Sequence, residues 1–401
     1  MESRHSILYI SSVPAEPGAG GSLVLHRHLQ EARKRFDVEI LSPPVRKSSF
    51  WGILRLATSV CARWVNTLLA EDVYAWIDGR WADRWLSQKL QGRKQAVVVT
   101  VAHGDLASAA ARVARGAGLP LVVIFHDWWP DIPSLTKFGQ RQEQAKFLWL
   151  HQHATASLPV SEGMQLALGS HHTSPLLYPI PSVDGGALAL PLPLRSNESQ
   201  FLALYAGNLS EYGPMVSKIL QESLCHPGIR IEVGGARPQW SADFQDAMRK
   251  GGLWRDFLPS HELEEWFRSA DAFLVPMVFD PAFRRRMETS FPSKLTEFSR
   301  YGKPLVVWGP EYSSAVRWAQ QTNGAICVTS PCPTELITAL EDLARNKDLC
   351  RMMGARARHA YETSFNPVLL QEVFESAVLA SAFPNRGSGA SQPGLIKADI
   401  S

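Results

Sequence analysis

Short, wholly apolar runs alternate with segments in which hydrophobic residues recur every three or four positions, and this alternation persists to about residue 382. Ile7-Leu-Tyr-Ile10 predicts a buried strand within 6–12. A loop with Pro14, Pro17, Gly18, Gly20 and Gly21 follows, then a helical pattern over 22–36 and a second strand at 37–41. Strands are further predicted at 96–101, 119–125 and 155–160, with helices at 105–116 and 140–152. A Pro- and Leu-rich stretch at 186–199 interrupts the pattern, which then restarts. The second series has strands at 201–206, 229–233, 272–276, 304–308 and 325–328, and helices at 261–269, 292–302, 312–321, 333–345, 347–361 and 366–382. Strands that are apolar on both faces and separated by helices predict parallel sheets covered on both sides. The expected fold class is α/β, with two Rossmann-like units in series.

The restart divides the chain into a first unit over 1–199 and a second over 200–362. Residues 363–383 form a last helix expected to return to the first unit, and the Gly- and Ser-rich stretch 384–401 is expected to be a disordered tail. Composition supports a folded chain: 45% of residues are hydrophobic and 20% charged, close to the usual globular mixture. A formal charge of +3 is too small to call for nucleic acid as a partner. Its positive excess lies in the N-terminal half. The five scattered cysteines, Cys61, Cys225, Cys327, Cys332 and Cys350, complete no zinc motif and fit structural thiols in a reducing cytoplasm. No apolar run reaches the roughly 18 residues that a span needs. Residues 50–69 pattern as a cationic amphipathic helix with Trp51 and Trp64, which is either packed on the first sheet or laid peripherally on the inner face of a membrane.

The segment Phe291-Pro-Ser-Lys-Leu-Thr-Glu297 opens a helix that ends near Gly302, directly before the strand at 304–308. Ser290 or Ser293 is expected to cap that helix, and its free amides attract phosphate. Lys294 adds a point charge, and Glu297, one turn further, offers a carboxylate to two ribose hydroxyls. The competing reading is an ordinary capped helix with Lys294 and Glu297 as an exposed ion pair. Arg284-Arg285-Arg286, just upstream, is either a diphosphate grip or a solvated basic loop. Gly20 and Gly21 allow close approach to a phosphate or sugar, although no Gly-x-Gly-x-x-Gly is present, which argues against a dinucleotide oxidoreductase. His126 and Asp127 follow the strand at 119–125, and His103 follows the one at 96–101; each is a turn residue or a site residue. No paired glycosidase carboxylates, Gly-x-Ser-x-Gly elbow or His-Glu-x-x-His helix is found.

Six short stretches in order, from Gly20-Gly21 through Phe125-His-Asp-Trp-Trp-Pro-Asp131, Leu158-Pro-Val-Ser-Glu162, Tyr205-Ala-Gly-Asn-Leu209 and Ala270-Asp-Ala-Phe-Leu-Val-Pro276 to Phe291–Glu297, resemble the family 4-like glycosyltransferases of the GT-B fold over residues 5–382. The resemblance implies two facing Rossmann-like domains, the first on the acceptor side and the second binding the nucleotide sugar. It implies a retaining, metal-independent hexosyltransferase without a cofactor, a UDP- or GDP-sugar donor, and a saccharide or lipid-linked acceptor. By similarity His126 is expected to be catalytic and to face the donor sugar, and Asp127 beside it is expected to act with it by orienting an acceptor hydroxyl. Gly20, Gly21, Asn208, Ser293, Lys294 and Glu297 are then expected to hold the nucleotide and diphosphate, with Arg284 supplying positive charge that many relatives place after the first strand of the second domain, and Glu288, Thr289 and Ser290 to lie at the donor sugar. The family's Glu, seven residues, Glu pattern is met by Glu297 but has Thr289 at its first position, and Asn208 stands where many relatives carry Arg. A sugar-nucleotide epimerase and a catalytically silent sugar-nucleotide-binding protein are the alternatives these departures leave.

Overall fold

A computed structural model describes residues 5–18, 20–41, 82–93, 96–131, 136–182, 200–236, 238–256, 258 and 260–383. The amphipathic stretch 50–69 and the tail 384–401 lie outside the described residues. Eleven described strands form two sheets, every pairing parallel. β1 (Ser6–Tyr9), β2 (Asp37–Ile40), β3 (Ala96–Val101), β4 (Leu121–Phe125) and β5 (Ala156–Pro159) lie in the order β2-β1-β3-β4-β5. β6 (Phe201–Ala206), β7 (Ile229–Gly234), β8 (Trp254–Arg255), β9 (Ala272–Pro276), β10 (Leu305–Trp308) and β11 (Ile326–Val328) lie in the order β11-β10-β9-β6-β7-β8. In each sheet the strand order reverses beside the first strand, between β1 and β3 and between β6 and β9. That reversal splays the following loops apart at the carboxyl edge and opens a crevice there.

The sequence explains the layering. All six residues of β3, Ala-Val-Val-Val-Thr-Val, are buried, because helices cover both faces of the first sheet. One of those covers comes from far along the chain. The helix Pro367–Ala382 places Phe374, Ala377 and Val378 in a cluster with Ile7, Val97, Val122 and Leu158 of the first sheet. The helix Gly21–Ala32 runs alongside it and buries His28 against Gln371 and Phe374.

The two sheets meet through a continuous apolar seam in which Met164, Met287, Phe291, Trp318 and Phe365 are all buried. Tyr178 joins it, with ring centroids 4.7 Å from Phe291 and 5.2 Å from Phe365. The short helix Glu162–Leu168 approaches the short helix Arg284–Thr289 so closely that a Cβ on Gly163 would stand 1.8 Å from the Glu288 carbonyl oxygen. Only a glycine fits that crossing. Among the described residues no helix is long and apolar enough to cross a membrane.

Candidate functional site

β4 ends at Phe125 and delivers His126 and Asp127 to the crevice between the sheets. Gly20, at φ 64, turns the chain into the helix Gly21–Ala32, and a Cβ on Gly21 would lie 3.5 Å from His126 Nδ1. The first helix therefore starts against the imidazole. Burial lowers the His126 pKa, with Asp127 opposing, so the ring tends to be neutral. His103 follows β3; it packs edge-on against Trp129, with centroids 3.8 Å apart, and its buried Nδ1 has no hydrogen-bond partner among the described residues.

Asp127 is engaged from the other sheet. Its Oδ1 accepts a 2.6 Å hydrogen bond from Ser290 Oγ and lies 3.8 Å from Arg286 Nε, while Arg286 Nη1 donates to Glu211 Oε1 at 2.9 Å. Burial raises the Glu211 carboxyl; Arg286 opposes this and Asp127 adds to it. Two carboxylates share one guanidinium here. The other two arginines of the run face elsewhere: Arg284 pairs with Glu288 at 2.8 Å and lies over the Tyr312 ring, and Arg285 lies over Trp128. Of the three residues expected at the donor sugar, Ser290 alone reaches across to β4. Glu288 is held by Arg284, and the buried Thr289 hydroxyl donates to Arg285 O at 2.8 Å within its own helix.

The helix opened by Phe291-Pro292 spans Ser293–Ser299, with Pro292 at its N-cap and no side-chain cap. The expectation that Ser290 or Ser293 caps it is thereby corrected. The Ser290 hydroxyl is spent on Asp127, a charged acceptor and a stronger partner than an amide would be. With seven residues the helix contributes a small dipole, so positive charge at its start must come from side chains. Glu297 supplies the surprise. Its Oε2 accepts from Arg27 Nη1 at 2.9 Å and from the Ser182 amide at 3.2 Å, and its Oε1 stands 3.9 Å from Arg300 Nε. Its side chain is 14% exposed, so an exposed Lys294–Glu297 pair does not describe it.

Burial alone would raise the Glu297 carboxyl, yet Arg27, Lys294 and Arg300 together hold it below the ordinary carboxylate range. Lys294 is shifted below the usual lysine range by burial, against the pull of Glu297 and with help from Arg27. Its Nζ lies 6.0 Å from the Phe298 ring centroid. Arg27 pairs with Glu297 and Arg300 is shared between Glu297 and Glu264, so Lys294 is the surplus positive charge of this corner. Asn208 stands apart from it in role: its Oδ1 caps the helix Leu209–Ser223, accepting from the Ser210 amide at 3.0 Å and the Ser210 hydroxyl at 2.6 Å.

Arg27 and Glu211 join the site without a motif in the sequence that marks them. Arg27 sits seven residues after Gly20, two turns along the same helix face, which is the one local signal that ties it to the glycine-rich start. Its partner is 270 residues away.

Neither a family model nor a curated protein matches the sequence. Solved structures do match in shape. Anabaena HepE in complex with UDP-glucose superposes with a TM-score of 0.60 at 14% identity, covering 93% of this chain and 99% of that one. Sucrose-phosphate synthase from Thermosynechococcus elongatus gives 0.60 at 12% identity, covering 93% and 98%. A glycosyltransferase from Rickettsia africae gives 0.63 at 10% identity, covering 95% and 99%. The fold is GT-B. In this GT-B chain β1–β5 form the N-terminal sheet and β6–β11 the C-terminal one. The crevice between them is where His126 and Asp127 meet Ser290 and Arg286, and where Arg27 meets Glu297.

Proposed function

We propose that this chain is a glycosyltransferase that moves a sugar from a nucleotide diphosphate sugar to a saccharide or lipid-linked acceptor. The observation that carries the reading is Glu297, a shielded carboxylate ringed by Arg27, Lys294 and Arg300 at the crevice of a GT-B fold. A ribose needs an acceptor for its hydroxyls and a diphosphate needs positive charge close by, and this corner offers both. HepE, of the same fold, is seen with UDP-glucose, which favours UDP over GDP as the first donor to try.

In the transfer, the bond from the anomeric carbon to the diphosphate oxygen breaks and a bond to the acceptor oxygen forms. The acceptor proton passes to the departing diphosphate, with retention at the anomeric carbon. Lys294 stabilises the charge that grows on the leaving group, where fixed positive charge has its largest effect on rate. The neutral His126 ring, set against Gly21, faces the sugar as a hydrogen-bonding group, and Asp127 orients the acceptor hydroxyl from the same strand end. No metal is required by this scheme.

The test is nucleotide-sugar binding and turnover. A thermal-shift series with UDP- and GDP-sugars should show a rise in melting midpoint for at least one of them, because binding to the folded state stabilises it. Glu297→Ala and Lys294→Met should each weaken that nucleotide roughly tenfold or more, as loss of a charged hydrogen-bonding partner does. No shift with any nucleotide sugar sinks the proposal. A second reading, a silent sugar-nucleotide binder, draws on Thr289 and Asn208, whose side chains are spent inside their own helices. Saturable binding without release of nucleoside diphosphate would favour it.

A further inference from the structure

Arg27 lies on the helix Gly21–Ala32 of the N-terminal half, and Glu297 on the helix Ser293–Ser299 of the C-terminal half. Arg27 Nη1 donates to Glu297 Oε2 at 2.9 Å and to the Ile180 carbonyl at 3.0 Å. The Ser182 amide donates to the same Oε2 at 3.2 Å. Ile180 and Ser182 follow β5, so among the described residues every hydrogen bond to the Glu297 carboxylate comes from the opposite half of the molecule. The two carboxylate oxygens are thereby made unequal. Among the described residues Oε2 has two donors, whereas Oε1 has only the distant Arg300 Nε at 3.9 Å, which leaves its lone pairs for another partner.

We infer that Arg27 is a positioning residue for nucleotide recognition: by tying Oε2 to the N-terminal half it presents Oε1 of Glu297 to the ribose, and it makes ribose recognition conditional on the two halves being together. The inference rests on the donor-site reading above. Arg27 itself need not touch the nucleotide. Its two acceptors hold the guanidinium in place, and the guanidinium selects one orientation of a carboxylate that would otherwise rotate freely about its last bond. Charge is only part of its role: Lys294 and Arg300 also lower the Glu297 carboxyl, whereas Arg27 alone of the three both lowers it and donates a hydrogen bond to it.

The experiment measures dissociation constants for UDP, GDP and their 2′-deoxy forms by calorimetry, on the full chain and on Arg27→Met and Arg27→Lys. For the wild type, the ribonucleotide that binds should be preferred over its deoxy form by about tenfold, the loss expected for one hydrogen bond to a charged acceptor. In Arg27→Met this ratio should fall towards one while the deoxy nucleotide binds within about threefold of its wild-type affinity. Arg27→Lys, which keeps the charge and one donor direction, should give an intermediate ratio and serves as the readout if the Met variant melts too low to titrate. A merely structural role would weaken ribo and deoxy forms alike and leave the ratio intact; that result overturns the inference and spares the donor site. Absence of any ribose preference in the wild type overturns the reading on which the inference stands.

Discussion

His28 is 1% exposed, with Nδ1 on Gln371 Oε1 at 2.9 Å and Nε2 without a partner among the described residues. Burial lowers its pKa to about 4, against the Gln371 hydrogen bond and with help from the nearby His126 and Arg27. Between pH 4 and the unfolded value near 6.5, the unfolded chain binds a proton that the folded chain refuses. Stability is therefore fully present above the unfolded value and falls as the pH drops through that window, by about 3 kcal/mol in all. Urea unfolding at a series of pH values should show this slope, and His28→Gln should flatten it; an equally steep slope in the variant would assign the loss to other groups. At this scale the sequence reached part of the site. Lys294 and Glu297 were legible because they share one helix turn with the proline that opens it. Arg27 was not, because its pairing crosses 270 residues and no local pattern encodes it. Ser290 was misjudged as a cap because a hydroxyl near a helix start has several acceptors in reach, and the carboxylate of Asp127 is the stronger one.

Long periodic elements followed the hydrophobic pattern closely: β3, β6, β9 and the helix Pro333–Arg345 lie where their periods predicted. The helix Leu209–Ser223 did not declare itself, because Gly213-Pro214 is a breaker signal in isolation. Asn208 caps its start, and the Trp240 indole donates to the Gly213 carbonyl at 2.8 Å, so capping and tertiary contact hold the turn through the proline. Asn208→Ala should accordingly cost about 1 kcal/mol of stability, the usual worth of such a cap, while Asn208→Asp should keep it. If Asn208→Ala instead leaves the unfolding free energy unchanged and weakens nucleotide binding, its place is at the diphosphate. The crossing of Glu162–Leu168 over Arg284–Thr289 gives a sharper test. In Gly163→Ala the new methyl would meet the Glu288 carbonyl, and the Ser161 Oγ to Thr289 O bond of 2.5 Å beside it would stretch. The halves should separate enough to lower the melting midpoint and to reduce kcat/KM several-fold; wild-type values for both would show that the seam yields without consequence.

On the scale of the whole molecule, the two sheets were readable from the restart of the strand pattern and their facing arrangement from the resemblance, whereas the residues through which they meet were not. The seam is built from residues such as Met164, Phe291 and Phe365 that look like ordinary core positions of their own elements. The N-terminal sheet is roofed in part by the helix Pro367–Ala382, whose Phe374 and Val378 are wholly buried in the first core. Synthesis delivers β1 to β5 before that roof exists, so part of the apolar face of the first sheet is expected to stay uncovered until residues 367–382 have emerged. The expectation is an assembly that is not vectorial, with the C-terminal sheet closing on its own neighbours before the N-terminal sheet is completed. A chain ending at Phe365 should keep a protected C-terminal sheet in hydrogen exchange while amides of β3 and β4 exchange freely, and adding residues 366–383 as a separate peptide should restore their protection. Equal protection of both sheets in the shortened chain would show that the roof arrives on a floor already set.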